Sequence, residues 1–268
     1  MPATDADRTS DDDILAVLAS GDLEIEGRLV DASNAAFLAR ACLDGVTVTC
    51  VYKPTAGERR LWDFPDGTLG RREVATYRLS RALGWHLVPE TAWRGDGPAG
   101  PGMAQRWVDV DDGTALVDVV PRGRVPSGWL SVVDAYGPGG DPVTLVHADT
   151  PDLRRLALFD SVINNADRKG GHVLVDDDGR MFGIDHGVTF HDEDKLRTVL
   201  WGWAGDPLHD DDAVTLADVA ARWDELDLHE MLSARERRAA LARLRRLVRA
   251  GVHPYPGDGW PSLPWPAF

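Results

Sequence analysis

Two cysteines, no long apolar run and no surplus of positive charge limit what this 268-residue chain can be. No run approaches the roughly 18–20 apolar residues that cross a bilayer as a helix. Residues 1–13 are polar and acidic, with no basic stretch leading into an apolar one, so no export signal is expected. Cys42 and Cys50 fall in neighbouring strand patterns. Without export, buried free thiols are expected rather than a disulfide, and with them a cytoplasmic location. The net charge of −15 argues against nucleic acid and stable membrane association, because both need basic patches. Arginines from Arg235 to Arg249 are a local exception, alternating with Ala, Leu and Val at helical spacing. They read as the solvated face of a C-terminal helix, with a docking surface for an acidic partner as the alternative. No internal repeat is found.

A hydrophobic share of 43% suffices for a globular core, and periodicity divides the chain in two. Residues 1–20 read as a tail with a short helix over 11–19. Within 21–108, strands are expected at 23–30, 35–43 and 46–52, a helix over 70–83, and strands at 87–93 and 102–108. Asp44-Gly45 is a hairpin turn. Within 109–268, a helix is expected over 153–163 and a helical pattern over 215–251. Residues 109–150, rich in Asp, Gly and Pro, resist assignment. The segment 252–268 holds five prolines and two tryptophans and reads as extended.

The chemistry concentrates in two blocks: Asn164-Asn165-Ala166-Asp167-Arg168-Lys169-Gly170-Gly171-His172 and Gly183-Ile184-Asp185-His186-Gly187. Between them, Val173-Leu174-Val175 and Met181-Phe182-Gly183-Ile184 flank an Asp-Gly turn, a strong hairpin pattern. The hairpin would bring Asp167 and Asp185 to one end of a two-stranded ribbon. Two acids meeting there, with Asn and His nearby, suit metal-dependent phosphoryl transfer. Asp176, Asp177 and Asp178 are most simply a solvated turn.

Placed behind Lys53 in Val51-Tyr52-Lys53-Pro54, these blocks resemble the phosphatidylinositol 3-/4-kinase-like branch of the protein-kinase-like superfamily, in particular an actinobacterial group within it. The likeness spans roughly residues 20–230. It implies a two-lobed α+β protein-kinase-like fold: a small antiparallel sheet with one helix over 21–108, then a mainly helical lobe over 109–268. By the same resemblance Lys53 contacts nucleotide phosphates and Glu73 pairs with it, with Glu58 and Asp63 as competitors for that role. The turn at 31–34 stands where the phosphate-covering loop would be. It lacks a glycine-rich signature, but Ser33 and Asn34 would offer donors. Residues 103–108, with Gln105 and Trp107, stand at the adenine-binding hinge. Asp167 matches the catalytic aspartate and Asp185 the metal-binding one.

Two departures from the family pattern matter. Lys169 stands where His is frequent. His172, five residues after Asp167, stands where a metal-binding Asn is expected. An imidazole suits Mn²⁺ better than Mg²⁺, so His172 is either a metal ligand or a hydrogen-bonding brace for the loop. Asn164 and Asn165 read as a helix cap or a brace for Asp167. His186 reads equally as loop packing or ligation. Lys195 and Arg197 read as surface charge, or as recognition of an anionic acceptor. Trp201 and Trp203 are expected to fix their segment to the core.

The function expected is ATP-dependent phosphotransfer, with Mg²⁺ or Mn²⁺, to a hydroxyl of a protein or small molecule that the sequence does not identify. Two alternatives are a nucleotide- or metal-binding pseudokinase and a nucleotidyl transferase on the same fold.

Overall fold

The computed structural model describes residues 10–29, 35–59, 61–64, 68–111 and 113–268. Helix α1 (Asp11–Ser20) starts with the Ser10 side chain accepting from the Asp13 N–H, and three acids fill its first turn. Strands β1 (Asp22–Leu29), β2 (Ala36–Leu43) and β3 (Val46–Pro54) follow, then α2 (Leu69–Ala82), β4 (Thr91–Arg94) and β5 (Gly102–Arg106). They form one antiparallel sheet in the order β1-β2-β3-β5-β4. Asp44 and Gly45 both take positive φ, as the Asp-Gly pair requires in the β2–β3 turn. Because side chains alternate along a strand, the sheet has two distinct faces. Ala39, Ala41, Cys50, Tyr52 and Ala104 pack against Leu18 of α1. Lys53, Met103 and Gln105 lie on the opposite face, where Met103 joins the cluster containing Val74 and Leu79 of α2.

The chain then enters its second part. Strands β6 (Val117–Pro121), β7 (Trp129–Tyr136) and β8 (Pro142–Ala148) form a separate antiparallel sheet in the order β6-β8-β7. Helix α3 (Pro151–Ile163) opens with a Thr150 cap and Pro151 in its first turn. The expected short hairpin of β9 (Val173–Val175) and β10 (Met181–Gly183) follows, with Met181 opposite Val175 and Gly183 opposite Val173. Helices α4 (Asp210–Ala221) and α5 (Ala234–Ala250) complete the second part, α5 with a Ser233–Glu236 capping box and Gly251 at positive φ. The two-lobed α+β arrangement is therefore present. Among the described residues no helix is long and apolar enough to cross a membrane.

Four local expectations need correction. The strand expected over 87–93 begins only at Thr91, because Pro89 has no N–H for the ladder; the Leu87 N–H goes instead to the Ser80 hydroxyl at 2.8 Å. Residues 109–150 carry three strands, whose Gly- and Pro-rich turns had masked them. The pattern over 215–251 is two helices, interrupted by a turn at Trp223–Glu225. Both thiols are free, but Cys42 is exposed: it follows buried Ala41 along β2 and points the other way. The turn at 31–34, with Ser33 and Asn34, lies outside the described residues.

The second sheet is held to the rest by His147 of β8. Its Nδ1–H donates to the Ala148 carbonyl (3.0 Å), so Nε2 accepts from the Gly202 N–H (3.0 Å). Burial keeps this imidazole neutral by lowering its pKa. Beside it Trp203 donates to Asp149 (2.9 Å), and Trp201 donates to the Ser262 carbonyl (2.8 Å), so both indoles fix their segment as expected. A Cβ on Gly202 would lie 2.5 Å from His147 Nε2 and 2.7 Å from Leu130 Cβ. Gly202→Ala is therefore expected to destabilise by about 1–3 kcal/mol in urea unfolding. A change below about 0.5 kcal/mol would mean the sheet docks differently.

Candidate functional site

Of the two acids the hairpin connects, Asp185 meets Lys53. The Lys53 Nζ donates to Glu73 Oε1 at 2.7 Å and to Asp185 Oδ1 at 3.0 Å. Lys53 ends β3 and Glu73 lies in α2, one turn in from its N-terminus, so this contact joins sheet, helix and hairpin. Glu58 and Asp63 have other tasks. Glu58 Oε1 accepts from the Gly70 N–H (2.8 Å) at the start of α2, and Asp63 lies 3.7 Å from Lys195.

Electrostatics follow from this geometry. Burial disfavours the Lys53 charge, but the Asp185 and Glu73 carboxylates outweigh it and raise its pKa. The Lys53 ammonium in turn holds the Asp185 carboxyl well below the usual carboxylate range, against the effect of desolvation. Burial raises the pKa of Glu73, partly offset by Lys53. Asp167 is also raised by burial, with Lys169 opposing it 3.5 Å away. Asp185 holds φ at 57°, unusual for a residue with a side chain, and its carboxylate stays half exposed. A cavity of about 210 Å³ opens among Lys53, Glu73, Asp167, Asp185 and Gly187.

His172 completes the group. Its Nδ1–H donates to the Asp167 carbonyl (3.0 Å), which turns Nε2 towards Asp185 Oδ2 at 3.5 Å. Burial lowers its pKa from 6.5 to about 4, despite the opposing pull of Asp185. A neutral nitrogen and a carboxylate oxygen, both acceptors, thus face each other with no proton between them. That arrangement fits a divalent cation, and a backbone carbonyl on the other ring nitrogen is what orients a ligating imidazole. Among the described residues no group of three or more His, Cys, Asp or Glu side chains is placed to hold an ion. Water and phosphate oxygens would have to complete the shell, as Mg²⁺-type sites permit.

Arg168, which sequence reasoning passed over, organises both loops. Its Nε and Nη2 donate to the two oxygens of Asp160 in α3 at 2.8 and 2.9 Å, and both side chains are fully buried. Its Nη1 donates to the His172 and Ile184 carbonyls, each at 3.0 Å, and Nη2 meets His186 Nε2 at 2.6 Å. His186 is therefore turned inward as loop packing, edge-on to Phe159. Asn165 donates to Asp160 and accepts from the Asp167 N–H, both at 3.0 Å. Asn164, at φ 55°, caps α3 and its side chain donates to the His191 and Glu193 carbonyls. An Asp directly after the apolar run Leu156-Ala157-Leu158-Phe159 of a helix was the available signal for Asp160.

Other expected residues fall elsewhere. Gln105 is on the Lys53 face of the sheet, yet its amide donates to Thr91 Oγ1 (2.8 Å), and neither Gln105 nor Trp107 lines the 210 Å³ cavity. Lys195 is not surface charge: it is 2% exposed, with its Nζ over the rings of Trp62 (5.1 Å) and Trp260 (4.6 Å). Two indole faces and the flanking carboxylates of Asp63 and Glu193 make this burial tolerable. Arg243, expected on a solvated face, is also buried. It binds Asp194 (2.7 Å) and the His191 carbonyl (2.5 Å), tying α5 to the segment after Asp185.

Two outcomes follow. Asp160→Asn leaves the Arg168 charge buried and under-paired, so an unfolding free energy lower by about 3–5 kcal/mol is expected in urea titration; a loss under about 1 kcal/mol would show that Arg168 is not the organiser. Folding holds His172 neutral, so its contribution is fully present above pH 6.5 and lost as pH falls towards about 4. Nitrogen-15 NMR at pH 6 should find the neutral Nδ1–H tautomer, and a His172 midpoint near 6.5 would contradict this.

No protein-family model matches the chain. Protein Rv2133c of Mycobacterium tuberculosis is 50% identical to it over 272 residues, an alignment covering 96% of each chain. At that identity and coverage, the chain belongs to the same family as Protein Rv2133c.

Proposed function

We propose that this protein is an ATP-dependent phosphotransferase of the kinase-like type, acting on a hydroxyl of a protein or small-molecule acceptor. One observation carries the reading: Lys53 bonds Glu73 and Asp185 at once, beside a cavity that Asp167 also lines. A fixed ammonium held by a helix acid and by a metal-binding acid is the arrangement that positions nucleotide phosphates in kinases.

Each residue has a separate task in this reading. Lys53 offers its charge to phosphate oxygens, and Glu73 keeps it in place. Asp185 Oδ2 and His172 Nε2 would hold a divalent cation, Mn²⁺ at least as well as Mg²⁺; bound there, it would neutralise charge on the phosphates. Asp167 orients the acceptor hydroxyl and takes its proton as the new P–O bond forms and the bond from the γ-phosphorus to the bridging oxygen breaks, releasing ADP; its raised pKa suits a base. Lys169 stands beside Asp167 and can face negative charge on the transferred group. The charge of −15 disfavours a phosphoinositide acceptor at a membrane. Free thiols at Cys42 and Cys50 favour a reducing, cytoplasmic setting.

A binding module without turnover is the second reading, favoured by His172 at the position of the expected Asn. ATP labelled at the α or γ phosphate, with Mn²⁺ and Mg²⁺ in separate reactions, distinguishes these readings. Appearance of γ-label in an acceptor or in the protein itself is expected, reduced about 10²–10⁴-fold by Asp167→Ala and lost with Asp185→Ala. Transfer of α-label would instead mean nucleotidyl transfer. Binding with no transfer of either label would leave the module reading. Activity with Mn²⁺ undiminished by His172→Ala would remove the imidazole from the cation site.

A further inference from the structure

A second cavity, of about 540 Å³, lies between the end of α5, residues 252–260 and the segment 194–201. Its size is that of a small-molecule site. Trp201, Trp260 and Tyr255 supply aromatic wall, and Leu247 and Val252 add aliphatic surface. The charged side chains lining it are Arg243, Arg246 and Asp194. Two guanidiniums against one carboxylate leave a local charge of +1 in a chain of net charge −15.

Two polar side chains of the lining, Arg243 and His253, are incompletely engaged. Arg243 is 5% exposed; its Nε and Nη2 are bonded, but its Nη1 is buried with no hydrogen-bond partner among the described residues. His253, 3% exposed, likewise has a buried Nε2 without a partner. Burial lowers its pKa to about 4, so it is neutral at pH 7 and adds no charge. A buried cationic donor without an acceptor is costly, and native interiors rarely leave one so. An acceptor bearing one negative charge at Arg246 and Arg243 would balance the wall, and a turn of the Arg243 guanidinium would bring Nη1, closed off in this structure, to it. Guanidinium groups favour a planar two-oxygen acceptor, and the aromatic walls favour a flat apolar body.

We propose that this cavity binds a small planar aromatic carboxylate, its carboxylate on Arg243 and Arg246 and its ring among Trp201, Trp260 and Tyr255. Arg243 also holds the His191 carbonyl and Asp194, so the ligand would tighten the segment that follows Asp185. The inference does not depend on phosphotransfer, because its readout is binding.

Isothermal titration with indole-3-carboxylate, using indole-3-carboxamide as the neutral control, tests it. The expected result is saturable one-to-one binding of the carboxylate, with the amide weaker by about ten-fold or more. Arg246→Ala, at an exposed position, should weaken carboxylate binding by about ten-fold while melting near the wild type. Ala250→Trp, which puts bulk at the exposed rim, should abolish it. No saturable binding, equal binding of the amide, or binding unchanged in both variants would overturn the proposal.

Discussion

Everything distinctive about this molecule depends on one buried ion pair, Arg168 with Asp160. A guanidinium removed from water must have every donor directed at an acceptor, or the fold loses several kcal/mol. Arg168 meets that demand by reaching three pieces of chain: the carboxylate of α3, the carbonyls of His172 and Ile184, and the ring of His186. The same bonds fix the loop bearing Asp167 against the loop bearing Asp185. The placement of the two acids is thus a by-product of satisfying one cation, and the hairpin of β9 and β10 only needs to connect them.

The second layer of order comes from cations that join lobes. Lys53 ties β3 to α2 and to Asp185. Arg72, buried in α2, donates to the Thr189 carbonyl at 2.5 Å and pairs with Glu236 of α5, with its guanidinium 4.7 Å from the Phe64 ring centre. Lys195 sits among Trp62, Trp260 and Asp63, so the loop before α2, the segment after Asp185 and the chain after α5 share one cation. In a strongly acidic chain each of these few buried cations has carboxylates in excess to choose from, and the arrangement is specified by which one the packing brings near.

Local signals in the sequence were sufficient where the physics is local. Asp44-Gly45 and Asp178-Gly179 announced hairpins because a tight turn needs those residues, and the apolar spacing of Val74, Tyr77 and Leu79 announced α2. The pairing of Glu73 with Lys53 was legible only as one of three candidates, since the choice depends on where Glu58 is spent capping α2. Lys195 and Arg243 were misread as solvated for a related reason: a charge is buried when distant partners converge on it, and nothing in the neighbouring sequence records that. Residues 109–150 were opaque because Gly- and Pro-rich turns separate β6 to β8 and because the ring that packs on His147 of β8, Trp203, lies far along the sequence. His172 was the most informative departure. Its position was visible, but the direction of Nε2 depends on a bond to the Asp167 carbonyl.

In the function proposed, Lys53, Asp185 and His172 form one nucleotide- and cation-binding cleft that Asp167 also lines. The most direct measurement is a crystal structure with Mn²⁺ and a non-hydrolysable ATP analogue, with data collected for manganese anomalous scattering. One anomalous peak shared by Asp185 Oδ2 and His172 Nε2 is expected, with phosphate oxygens on Lys53. Manganese absent from that pair, or phosphates bound away from Lys53, would contradict it.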